Sequence, residues 1–113
     1  MPYTQVNISE KLSNSKKDEL KKMFGEHISL IPGKSEAVLM LQINDEQHMS
    51  FGGRAGECAM IQVHLFKECP REEKSLFTSK VLNSFSEITG LPIDRIFMNF
   101  SEYPEWAANG ILK

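Results

Sequence analysis

Sliding the chain against itself by 57 positions brings its two halves into register, and this limits the fold more than any single motif does. Gly33 falls on Gly90, Gln5 on Gln62, Val6 on Val63 and Ile8 on Leu65. Leu20 falls on Phe77, Phe24 on Val81, Ile28 on Phe85 and Ile31 on Ile88. Leu39 then falls on Ile96, Met40 on Phe97, Leu41 on Met98 and Ile43 on Phe100. Identities are few, but apolar classes agree through three consecutive elements. A fixed period means copies of one supersecondary unit stacked on each other. The copies cover about residues 2–44 and 59–101 of a single domain, 1–113.

Each copy reads strand, helix, strand. Tyr3–Ile8 is short and β-rich. Ser15-Lys16-Lys17-Asp18 has the spacing of a capping box and predicts a helix start. Leu20, Met23, Phe24, His27, Ile28 and Ile31 follow the i, i+3, i+4 spacing of a helix, and Pro32-Gly33 stops it. Ala37–Ile43 is almost continuously apolar, as in a strand buried on both faces. In the second copy Ala59–Phe66 is a strand and Pro70 opens a helix. Phe77, Val81, Phe85 and Ile88 form that helix's apolar stripe, Gly90 ends it, and Arg95–Phe100 is the last long strand. Asn44–Gly56, polar and glycine-rich, reads as a loop. Two tandem β-α-β crossovers place both helices on one face of a four-stranded sheet, an α+β two-layer architecture. Apolar residues at alternate positions of 38–43 predict a second apolar sheet face, which other subunits would cover. A chain of 113 residues also gains from assembly, because small domains bury little of their surface.

Charge and composition exclude several function classes. Thirteen basic residues face fifteen acidic ones, so no broad basic field exists to attract nucleic acid or an anionic membrane. Lys16, Lys17, Lys21 and Lys22 are interleaved with Asp18 and Glu19, as on a solvated helix face. No apolar run reaches the roughly 20 residues of a membrane span. The N-terminal segment has no signal-peptide pattern, which predicts a cytoplasmic protein. Cys58 and Cys69 are too few for a disulfide scaffold and suit a reducing compartment; one disulfide is the alternative. His27, His48 and His64 are widely spaced and read as surface or packing residues, so no metal site is expected.

Four segments carry a resemblance to a known family. Met1-Pro2 opens the first strand. Gly33-Lys34 precedes the second. Met49-Ser50-Phe51-Gly52-Gly53 is followed by Cys58-Ala59 and the third strand, and Ile93 to Phe100 forms the fourth. The tail Trp106-Ala107-Ala108-Asn109-Gly110 fits a terminal W-x-x-N-G pattern. Taken together the chain resembles the tautomerase superfamily, in its macrophage migration inhibitory factor branch. The resemblance implies a β-α-β-β-α-β protomer, a homotrimer around a central channel, and a cofactor-independent keto–enol tautomerase acting on an α-keto acid such as phenylpyruvate.

It also implies roles for particular residues. Pro2, once Met1 is removed, carries a secondary amine that shuttles a proton between carbon and oxygen. An ordinary α-amino group has a pKa of about 7.7 to 8.0, and an apolar pocket or a nearby cation lowers it toward a usable base at neutral pH. Lys34 matches the lysine that binds the substrate carboxylate. Asn99 matches a pocket asparagine supplied by a neighbouring subunit. Phe97 stands where close relatives have a tyrosine, so the aromatic wall remains without its hydroxyl. Phe66 replaces a smaller aliphatic residue at the rim, and Tyr3 offers a hydroxyl beside Pro2. Cys58 keeps the first cysteine of the family's C-x-x-C, but Ile61 replaces the second, which argues against thiol–disulfide activity. Trp106 is expected at a subunit interface rather than as a lid. Competing readings are a cytokine-like binding protein, with receptor binding and non-conventional secretion by family analogy alone, and a trimer that binds a keto acid without turnover. Dehalogenation or decarboxylation is disfavoured, because Arg54 and Glu57 are acidic or basic partners in sequence proximity only.

Overall fold

A computed structural model describes residues 2–113. Its long elements are β1 (Pro2–Ile8), α1 (Asn14–His27), β2 (Met40–Asn44), β5 (Ala59–Phe66), α2 (Arg71–Thr89) and β6 (Ile96–Tyr103). Two short hairpins join them, β3 (Ser50–Phe51) with β4 (Arg54–Ala55), and β7 (Ala107–Ala108) with β8 (Ile111–Leu112). The four long strands form one sheet in the order β2-β1-β5-β6. β1 and β2 run parallel, as do β5 and β6, while β1 and β5 run antiparallel. The two predicted crossovers are therefore present, joined back to back at β1 and β5.

Strict alternation along β1 and β5 sends Val6, Ile8, Ile61, Val63 and Leu65 under the helices, all fully buried. Leu20, Phe24 and Ile28 of the first copy meet Phe77, Val81 and Phe85 of the second there. Phe24 and Phe85 pack edge to face with ring centres 6.5 Å apart, a preferred aromatic geometry. The repeat thus supplies both halves of one core.

Gln5 of β1 lies directly opposite Gln62 of β5, and these two residues are also equivalents in the repeat. A local two-fold axis therefore passes between them. Gln42 and Asn99, another equivalent pair, continue the row on either side. The open face of the sheet thus carries four adjacent amides, flanked by Asn7 and Asn44. This corrects the expectation of a second apolar face. The outward residues of β2 are Met40, Gln42 and Asn44, in register with Tyr3, Gln5 and Asn7 of β1, and the strand begins at Met40 rather than Ala37. Residues 36–38 form a single 3-10 turn instead, held by Val38 N–H on the Ser35 carbonyl and Leu39 N–H on the Glu36 carbonyl.

Other boundaries also moved. The cap of α1 is Ser13, not Ser15: its side chain accepts the Lys16 N–H at 3.1 Å. The loop 44–56 contains the β3–β4 hairpin, whose two-residue turn is Gly52-Gly53, both at positive φ. That conformation matches the twist of the flanking strands and costs glycine little. β6 runs three residues beyond Phe100, and the tail closes on an Asn109-Gly110 turn. Cys58 and Cys69 are both free thiols. No helix among the described residues is long and apolar enough to cross a membrane.

One polar device occurs twice. Asp45 accepts the Leu12 N–H at 2.9 Å and pairs with Lys17 at 3.5 Å. Glu102 accepts the Cys69 N–H at 2.6 Å and pairs with Lys74 at 3.1 Å. All three partners are equivalent in the repeat: 12 with 69, 17 with 74, 45 with 102. Each clamp ties the chain entering a helix to the end of the strand that follows that helix. The N–H bond first, and the lysine with it, hold each carboxyl below its ordinary value. A carboxyl lowered in the folded state contributes stability above its unfolded pKa, about 3.9 for Asp and 4.3 for Glu, and loses it as pH falls through the folded value. The melting temperature should therefore drop as pH is lowered from about 6 toward 3. The double variant Asp45→Asn, Glu102→Gln should start lower at pH 6 and lose less over the same range, as read by calorimetry.

Candidate active site

Pro2 is the first residue of β1, buried, and paired with Leu65 near the end of β5. It lines a recess of about 260 Å³ with Tyr3, the segment 37–40 and Trp106, and the walls are mostly apolar. The predicted removal of Met1 concerns a residue outside those described.

Lys34 reaches the same end of the sheet from the opposite direction. The Pro32-Gly33 break turns the chain after the helix, with Gly33 at φ +76°. The Lys34 backbone N–H then binds the Ile31 carbonyl, and its Nζ donates to the Phe66 carbonyl at 3.2 Å. Phe66 follows Leu65, the strand partner of Pro2. The cation is thus anchored one residue from the position opposite Pro2, on a carbonyl and not on a carboxylate, so its charge is not neutralised. The Phe66 ring is half-buried, and the Lys67 ammonium sits 5.1 Å from its centre.

Tyr3 borders the Pro2 recess at one edge. Strand alternation puts it on the open face, where its ring stacks on His64 at 5.5 Å and its hydroxyl donates to the Gln42 side-chain carbonyl. The hydroxyl beside Pro2 in sequence is therefore already engaged within the sheet. Phe97 and Asn99 are also on the open face, Asn99 in the middle row of amides and Phe97 at the far end. Phe97 is in register with Met60, and Pro2 with Leu65. Five residues of β5 separate those rungs, about 17 Å at the usual rise of a strand. One protomer sets Pro2, the Lys34 ammonium and the Phe66 carbonyl at one end of the sheet; it does not bring Phe97 and Asn99 there.

Trp106 borders the Pro2 recess of its own protomer. It also borders a second recess with His64 and Tyr103, and packs edge-on to the Tyr103 ring at 5.9 Å. Sequence reasoning missed this group. His64 Nδ1 and the Tyr103 hydroxyl are 2.9 Å apart, and the rings stack at 5.8 Å. Extending β6 past Phe100 would have placed Tyr103 beside Phe66 and next to His64. A larger open groove along one helix edge is lined by Lys17, Asp18, Lys21, Glu36 and Leu41 and mixes charges of both signs. No group of three or more metal-ligating side chains is present among the described residues. Burial pushes the Cys69 thiol above its ordinary value, which disfavours the reactive thiolate.

With that geometry in place, comparison with known proteins is informative. The family model for macrophage migration inhibitory factor (MIF) matches residues 1–111. The chain belongs to the MIF family. A sequence search of curated proteins finds no match. Among solved structures, MIF2 of Leishmania major is 23% identical with a TM-score of 0.92, over 100% of this chain and 97% of that one. A protein solved after inactivation by 2-oxo-3-pentynoate is 17% identical, TM-score 0.85, covering 96% and 94%. A fused 4-OT described as an asymmetric trimer is 11% identical, TM-score 0.85, over the same shares. These likenesses establish the tautomerase fold.

Tyr103→Phe removes the hydroxyl that meets His64 and leaves both rings stacked. It should cost no more than about 1.5 kcal/mol of stability, the usual net worth of a neutral hydrogen bond. Urea denaturation measures this, and a larger loss would mean that the pair organises more of the sheet face than its two rings.

Proposed function

We propose that the chain is a cofactor-independent keto–enol tautomerase of an α-keto acid, phenylpyruvate being the model substrate. One observation carries this reading: Pro2 lines an apolar recess, and an unpaired lysine is anchored beside its strand partner. Removal of Met1 gives Pro2 a free secondary amine. The apolar walls and the nearby Lys34 charge both disfavour its ammonium form, which keeps a base available near neutral pH. The proline ring fixes φ and so limits how the lone pair can turn. Lys34 binds the substrate carboxylate, which sets the carbon next to the keto group against the nitrogen. The amine takes a proton from that carbon and returns one to the enolate oxygen, or runs the reverse. The aryl or alkyl group rests on Phe66 and on Phe97 from another subunit. Inactivation of a structural neighbour by a 2-oxo acid supports this substrate class.

A homotrimer is part of the proposal, because Phe97 and Asn99 lie too far from Pro2 in one protomer to share its recess. A second reading, a MIF-like binding protein or a ligand-binding trimer with weak turnover, is favoured by Phe97: a tyrosine hydroxyl is missing from the wall. Receptor binding rests on the family alone.

The experiment follows keto–enol conversion of phenylpyruvate by ultraviolet absorbance, on protein whose mass shows Met1 removed. Pro2→Ala should lose 10²- to 10⁴-fold in kcat/KM, the usual worth of a positioned base. Lys34→Ala should raise KM about 10- to 100-fold, as expected for one charge-assisted hydrogen bond worth about 1.5–3 kcal/mol. Full activity in Pro2→Ala would overturn the assignment of the base, and absence of conversion by the wild type would favour the binding reading.

A further inference from the structure

The β3–β4 hairpin lies far from Pro2, yet a buried charge is devoted to it. Arg95 is 6% exposed and no carboxylate pairs with it among the described residues. Its guanidinium is satisfied by four backbone carbonyls instead. Nε donates to Glu57 at 3.0 Å, Nη1 to Phe51 at 2.8 Å, and Nη2 to Arg54 at 3.1 Å and Gly56 at 2.7 Å. Four fixed acceptors around one planar fork allow the hairpin a single pose.

That pose has a consequence for Phe51. The Arg95 guanidinium lies 5.3 Å from the Phe51 ring centre, on one side. On another, the Phe51 ring lies 4.5 Å from Phe97, tilted by 53°. The two rings form one ridge on the open face of the sheet, 45% and 38% exposed. Phe97 is the wall residue that the proposed tautomerase site needs from another subunit. Whatever Phe97 touches, Phe51 is close enough to touch.

We propose that Phe51 is a second wall residue of the site formed with a neighbouring subunit's Pro2, and that Arg95 is the positioning residue that holds this wall. The proposal rests on the tautomerase reading and on a shared site. It adds two residues from outside both recesses, and it makes the wall two phenyl rings without a hydroxyl. The apolar part of an α-keto acid would be clasped between them and the Pro2 recess.

Phe51→Ala should raise KM for phenylpyruvate at least tenfold, with kcat changed less than threefold and the melting temperature nearly unchanged, because the ring is half exposed. Arg95→Lys keeps the charge and loses the fork, and should shift KM in the same direction. Mixing decides which subunit Phe51 serves. Pro2→Ala and Phe51→Ala subunits are unfolded together, refolded at equal amounts and assayed at low substrate. In a cyclic trimer about a quarter of the sites then combine an intact Pro2 with an intact Phe51 from the neighbour, so activity should rise well above the mean of the two parents. An unchanged KM in Phe51→Ala, or activity equal to the parental mean after mixing, overturns the inference. Full activity in Pro2→Ala overturns the assignment of Pro2 as the base instead, and is visible before any mixing. If the wild type converts no phenylpyruvate, contact is read from Trp106, the chain's one tryptophan. A nitroxide on Phe51→Cys, in a subunit also carrying Trp106→Phe and Cys69→Ser, should quench Trp106 of the unlabelled subunits it assembles with. No quenching overturns the proposal.

Discussion

The pairing of β1 with β5 is the contact on which the rest of the structure depends. It joins the two copies of the repeat, and its register places the local two-fold between Gln5 and Gln62. The same register puts Val6 and Ile8 under the helices beside Ile61 and Val63. It also sets Pro2 opposite Leu65, next to the Phe66 carbonyl that anchors Lys34. A slip of one residue would turn every buried side chain of β1 to the open face, so the core enforces the geometry of the site. Core and candidate site are therefore one constraint read at two places along a strand pair.

Much of this was legible in the sequence. The 57-residue register predicted both crossovers, the apolar stripes of both helices and the glycine stop at Gly90, which sits at φ +80° as the helix C-cap. What the pattern could not resolve was which face of an apolar strand looks outward. The run 37–43 has apolar residues in both alternations, so periodicity alone gave no direction. The pairing with β1 decides it, setting Met40, Gln42 and Asn44 beside Tyr3, Gln5 and Asn7, a long-range register that no local pattern reports. Ser13 against Ser15 is a similar case. Both can cap, and the clamp of Asp45 on the Leu12 N–H, a contact over 33 residues, brings the entering chain in at Ser13. Arg95 was equally silent, because its four partners are main-chain carbonyls and leave no complementary charge in the sequence.

The site itself was legible only in part. Pro2, Lys34 and Phe66 were expected together and lie at one end of the sheet. Tyr3 borders the Pro2 recess, but its ring is turned to the open face, since neighbours in a strand point to opposite sides. Asn99 lies in the middle row of the sheet and Phe97 at the other end. Their separation from Pro2 follows from the parallel pairing of β5 with β6, which no local pattern reports.

The repeat also shows where the two halves part company. The scaffold is duplicated down to the Lys17–Asp45 and Lys74–Glu102 clamps, yet the chemistry is not. Pro2 corresponds to Ala59, and Lys34 to Leu91. Ala59 is inside the chain, so its nitrogen is an amide whose lone pair is shared with a carbonyl and cannot act as a base. Leu91 is buried against the core and carries no charge. Only a chain terminus can give a backbone nitrogen the basicity of an amine, and a tandem repeat has just one such terminus. The fold is thus symmetric where packing and clamps act, and asymmetric where proton transfer is proposed. The second half keeps its own face for another use: β6 presents Phe97 and Asn99, and the 3-10 turn just before it, Ile93–Arg95, holds Arg95. In the proposed tautomerase reading the first half offers the base and the cation, and the second offers the wall.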